Sequence, residues 1–134
     1  FILQLLDELG SIIGLLFQRS DDLLDFNIRN HENKAVLGDL KSGYINSFGA
    51  FLSEDFDDEK KMQFKLCETV DDVKQLVGES EFKRSLEKFD AINKEVIDLY
   101  FHHLDSLGDQ LPQESKGLVE DLRKLPEPLY WRNQ

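Results

Sequence analysis

From Phe82 to Leu107, apolar and aromatic residues recur at intervals of three and four: Phe82, Leu86, Phe89, Ile92, Val96, Leu99, Tyr100, His103 and Leu107. That spacing lays them along one side of an α-helix and is foreign to a strand, whose side chains alternate. Ser80 is placed to cap this helix and Gly108 to close it. No stretch of the chain alternates for long, and no Asn-Gly or Asp-Gly hairpin signal occurs. The class is therefore all-α, a helical bundle.

The remaining pattern fits that class. Phe1 to about Asp25 reads as a first helix, with Ile2, Leu5, Leu6, Leu9, Ile12, Ile13, Leu16 and Phe17 covering most of its circumference. A helix apolar nearly all round belongs in the middle of a bundle. Gly10 and Gly14 lower helix propensity, so a close helix neighbour is expected against them. Asn27 to Asn46 lacks periodicity, holds Gly38 and Gly43, and reads as a long polar loop of the kind that carries function. Short helices are expected at Phe48 to Leu52, near Glu59 to Leu66, and from Thr69 to Val77, where Thr69 and Asp72 have capping-box spacing and Gly78 stops the helix. Pro112 opens the last long helix, with a stripe of Leu118, Leu122 and Leu125. Pro126 and Pro128 end it, leaving Leu129, Tyr130 and Trp131 as an apolar tail that folds back.

Composition narrows the function classes. With 134 residues, 40% of them hydrophobic and 32% charged, the chain can bury a modest core. Its net charge of -11 argues against nucleic acid and against an anionic membrane surface. The apolar run Leu9 to Phe17 is bracketed by Gln4, Asp7, Glu8 and Gln18, and is too short for a membrane span of ~20 residues. The single cysteine, Cys67, excludes an internal disulfide and fits a reducing cytoplasm. The chain begins at Phe1 already inside a helical pattern, so a piece of a longer protein is expected.

The chemistry-bearing stretch is Phe17-Gln18-Arg19-Ser20-Asp21-Asp22-Leu23-Leu24-Asp25. On a helix Asp21, Asp22 and Asp25 can reach one side. Three carboxylates there repel one another, and the C-terminal end of the helix dipole disfavours them further. A hard divalent cation relieves both, and oxygen-only ligands suit magnesium. Taken alone, Asp-Asp-x-x-Asp is a weak signal, since a charge run is most often a solvated face. His31, His102 and His103 form no ligand spacing with the carboxylates, and Phe82, Phe89 and Phe101 read as core packing.

The wider context resembles the trans-prenyltransferases, the polyprenyl (isoprenyl) diphosphate synthases. Their second aspartate-rich helix reads Gly, three residues, Gly, then Phe-Gln, two residues, Asp-Asp, two residues, Asp. Gly10, Gly14, Phe17, Gln18, Asp21, Asp22 and Asp25 stand in that arrangement. The family's following loop has a Lys, then Asp-Leu, then Gly, matched by Lys34, Asp39, Leu40 and Gly43. The resemblance is strong over Gly10 to Gly43 and diffuse afterward, and it implies that residues 1–134 are the C-terminal portion of an isoprenoid-synthase fold. It further implies that Asp21, supported by Asp22 and Asp25, holds Mg2+, that Gln18 lines the same cavity, and that Lys34 contacts an allylic diphosphate. Asp39 would brace the loop. The implied reaction condenses isopentenyl diphosphate with that allylic diphosphate. The implied partners are the enzyme's N-terminal half, which carries the first aspartate-rich motif, and a second subunit in a homodimer. Without that half, the isolated chain is expected to be inactive.

This sequence departs from the family at Leu37, where a Gly is usual, and at Tyr44, Asn46 and Phe48, where Lys, Thr and Pro are usual. Those departures motivate a second reading, a non-catalytic or regulatory prenyl synthase-like subunit. A third reading, from another class, is an acidic helical interaction module whose aspartates are surface charge. A terpene cyclase shares the fold and an aspartate-rich motif, but the Phe17-Gln18 prefix and the Lys34 to Gly43 loop favour the synthase.

Overall fold

The computed structural model describes residues 1–24, 26 and 46–131. Among them every regular element is helical, and no strand occurs. In chain order these are α1 (Ile2–Leu24), α2 (Ser47–Leu52), α3 (Asp58–Lys65), α4 (Val70–Val77), α5 (Glu79–Gln110), a 3-10 turn (Gln113–Ser115), α6 (Lys116–Arg123) and α7 (Pro126–Tyr130). The described residues divide into two compact units, one holding residues 1–20 and 92–131, the other those within Asp21–Ala91.

The Asp21–Ala91 unit is built on local caps and phenylalanine rings. Asn46, Asp57 and Thr69 each cap a helix by accepting a backbone N–H, from Gly49, Lys60 and Asp72 respectively. The capping box expected from Thr69 and Asp72 forms in full: Asp72 Oδ2 accepts the Thr69 N–H at 3.1 Å, and Thr69 Oγ1 accepts the Asp72 N–H at 3.1 Å. The Glu68 N–H and the Thr69 N–H, both donating to Asp72 Oδ2, hold the exposed Asp72 carboxyl below its ordinary range. Gly78 ends α4 with a φ of 89°, a left-handed backbone that favours glycine. Phe48, fully buried, is the hub of the interior, with ring centroids 5.1 Å from Phe26, 5.7 Å from Phe82 and 5.3 Å from Phe89. These edge-on geometries suit the aromatic quadrupole.

The other unit has an aliphatic interior. Leu5, Leu9, Ile12 and Leu16 form the buried stripe of α1, and Ile97, Leu104 and Leu107 that of α5. Tyr100 is fully buried, and its hydroxyl donates to the Leu122 carbonyl at 2.6 Å. Burial pushes that phenol above its ordinary range.

Several expectations need correction. α1 is not covered all round: Leu3, Leu6, Leu15 and Phe17 are 80%, 41%, 40% and 47% exposed. Among the described residues, a Cβ added at Gly10 or Gly14 would meet no atom within 4 Å, so the close helix neighbour expected there is not seen. The i, i+4, i+7, i+11 stripe is packed, and the opposite face is left open. α5 starts at Glu79, directly after the Gly78 turn, with no Ser80 cap, and it runs through Gly108 to Gln110. It ends there because Pro112 disfavours helical backbone in the residue before it. In α6 the stripe of leucines is replaced. Leu118 on α6 and Leu125, past its end at Arg123, are exposed, whereas Val119 and Pro126, the first residue of α7, are buried. Tyr130 of the tail is fully buried, as part of α7.

Candidate metal site at the end of the first helix

The aspartate motif occupies the last turn of α1 and the residue beyond it. Its members have different surroundings. Gln18 and Asp21, three apart on α1, are both exposed. Asp22 is only 2% exposed. Its Oδ2 accepts the Ser47 N–H at 2.9 Å and the Ser47 hydroxyl at 2.6 Å. A buried carboxylate is tolerable when hydrogen-bonded in this way, and the short O–H contact is typical of a charge-assisted bond. The Asp22 backbone carbonyl also accepts from the Asn46 side-chain amide at 2.9 Å. Asn46 Oδ1 in turn accepts the Gly49 N–H at 3.0 Å. Asp22 and its two partners thus fix where α2 starts.

Asp25, Lys34, Asp39 and Gly43, with Leu37 and Tyr44, lie outside the described residues. Among the described residues no three His, Cys, Asp or Glu side chains gather as a metal-binding group. Asp21 presents the hard oxygen donor that magnesium takes, and it does so at an exposed position.

Immediately before the motif, the other unit supplies a polar network that the sequence pattern did not reveal. Arg19 donates to Asn93 Oδ1 at 2.6 Å, and Asn93 donates to the Tyr130 hydroxyl at 2.9 Å. The Ser20 hydroxyl donates to the Tyr130 carbonyl at 3.1 Å. Asn93 and Tyr130 are fully buried, so α7 is tied to residues 19–20 by polar groups that water cannot replace. Asn46, read from the sequence as the end of a loop, caps α2, and its local signal is a short polar residue before an apolar run. Asn93 stands inside an amphipathic helix with no local mark of its role.

The other reactive side chains are accounted for structurally. Cys67 is buried, and that burial, with the Asp72 charge, pushes its thiol up, away from the reactive thiolate. His103 Nδ1 lies 3.3 Å from Glu8. No helix among the described residues is long and apolar enough to cross a membrane. Comparison with family models, curated proteins and solved structures gives no match.

Proposed function

We propose that this chain is the part of a cytoplasmic polyprenyl diphosphate synthase that carries the second magnesium-binding motif. The observation that carries the reading is one helix, Ile2–Leu24, which holds Gly10, Gly14, Phe17, Gln18, Asp21 and Asp22 in the family's order and ends with Gln18 and Asp21 exposed. Asp21 is the first choice of metal donor, with Asp25 one turn further along the sequence as its support. Magnesium there would neutralise charge on the diphosphate that leaves the allylic substrate. Gln18 would orient that group by hydrogen bonding, and Lys34 would add a point charge to it. The condensation joins isopentenyl diphosphate to the allylic unit and also requires the first aspartate-rich motif, which another part of the enzyme must supply. The open face of α1, with Leu3, Leu6, Gly10, Gly14 and Phe17, is a surface for that part to cover, and a homodimer would complete the assembly.

A specific observation favours the second reading, a non-catalytic prenyl synthase-like subunit. Asn46, where the family has Thr, is 5% exposed and committed to capping α2 and to the Asp22 carbonyl. Calorimetric titration of the 134-residue chain with Mg2+ and inorganic pyrophosphate tests the site. The synthase reading expects Mg2+-dependent pyrophosphate binding that is lost in Asp21→Ala. An acidic interaction module would show no binding in either protein.

A further inference from the structure

We infer that Asp22 is a positioning residue, acting through Ser47 and Asn46 to fasten the start of α2 to the end of α1, and is not itself a metal donor. This deepens the proposed function by dividing the motif into one part that meets the ion and one that holds the frame. The metal half of the inference rests on that reading. The fastening rests on the hydrogen bonds alone.

Three features of the geometry carry it. The first is burial: Asp22 is 2% exposed, whereas Asp21 beside it is exposed. Magnesium keeps several waters and demands near-octahedral space, which a sealed carboxylate does not offer. The second is saturation: one oxygen, Oδ2, already accepts both an amide and a hydroxyl hydrogen from Ser47. The third is that the attachment is made twice, because the Asn46 amide grips the Asp22 carbonyl while its Oδ1 caps α2. Chain separation makes the connection long-range, since Asp22 and Ser47 are 25 positions apart. Residues Asn46 and Ser47 are therefore held at the motif whatever path the intervening chain takes. Helix geometry agrees, since on α1 Asp22 is turned ~100° from Asp21.

Asp22→Asn, Asp22→Ala and Ser47→Ala separate the roles. An asparagine oxygen can accept both Ser47 hydrogens but brings no charge to an ion. Two readouts on the 134-residue chain are needed: Mg2+ affinity by calorimetry in the presence of inorganic pyrophosphate, and amide exchange over Phe48–Leu52. The inference expects Asp22→Asn to keep Mg2+ affinity within about threefold and to keep α2 protected. It expects Asp22→Ala to raise α2 exchange about tenfold or more, with Ser47→Ala intermediate, since a buried hydrogen-bonded partner is lost. Loss of Mg2+ binding in Asp22→Asn with normal binding in Ser47→Ala would make Asp22 a ligand and overturn it. If the unmodified chain binds no Mg2+, the functional reading fails and exchange alone decides. Unchanged α2 exchange in Asp22→Ala then overturns the fastening.

Discussion

The interior of the Asp21–Ala91 unit is a set of phenylalanine rings around Phe48, whereas the unit formed by residues 1–20 and 92–131 adds to its aliphatic interior a run of polar groups, Arg19, Asn93, Tyr130 and Ser20. Rings pack by shape and area, with no partner demanded of each atom. Buried amide and hydroxyl groups are costly unless every partner is in place, so they specify one arrangement. The first interior supplies bulk stabilisation under α2. The second fixes where α7 sits against the residues that precede the aspartate motif. Stability and placement are thus assigned to different chemistry.

The sharpest break of this contrast is Phe48→Ala, which removes the hub of the rings. It should cost about 3–5 kcal/mol in urea denaturation, the range for a buried Phe, while Phe48→Leu, closer in volume, should cost far less. Asn93→Ala comes next, at about 1–3 kcal/mol, because it removes an acceptor for Arg19 and a donor to the Tyr130 hydroxyl. Its distinguishing sign is increased amide exchange over Pro126–Tyr130, which Phe48→Ala should not produce selectively. Thr69→Ala removes an exposed helix cap and should cost about 1 kcal/mol. A substitution on the open face of α1, Leu6→Ser, should change stability by no more than about 0.5 kcal/mol in the isolated chain. A larger loss would mean that the face is covered.

A pH titration sharpens the same separation. The Asp72 carboxyl is held low by the Glu68 and Thr69 amides, so its contribution is fully present above the ordinary carboxylate range near pH ~4. It is lost as pH falls through the lowered value. Exchange at the start of α4 should therefore rise on acidification below that range, and Asp72→Asn should remove the transition.

What could be read from the residues followed the range of the physics. The Thr69–Asp72 box is local and forms as read. The α5 helix forms too, but of its stripe Phe82, Phe89, Tyr100 and Leu107 are buried while Ile92 and Leu99 are exposed, and Asn93, Ile97 and Leu104 are buried instead. The all-α class followed from the same periodicity. The stripe read over Leu118, Leu122 and Leu125 was misjudged, since α6 stops at Arg123 and Leu118 and Leu125 are exposed, and α1 was expected to be covered on faces that stand open. At the candidate site the spacing Asp21, Asp22, Asp25 suggests three equivalent carboxylates. Only the contact with Ser47, 25 residues away, separates Asp22 from Asp21. Asn93 likewise has its meaning from Tyr130, 37 residues on. Lys34 and Asp25 lie outside the described residues, so their part rests on the motif.

The most direct test of the central claim is incorporation of labelled isopentenyl diphosphate onto geranyl or farnesyl diphosphate by the protein expressed from its complete reading frame. It should be run with and without Mg2+ and beside Asp21→Ala. The account predicts Mg2+-dependent elongation that collapses in the variant. A folded protein that elongates neither primer, or an Asp21→Ala variant as active as the parent, would contradict it.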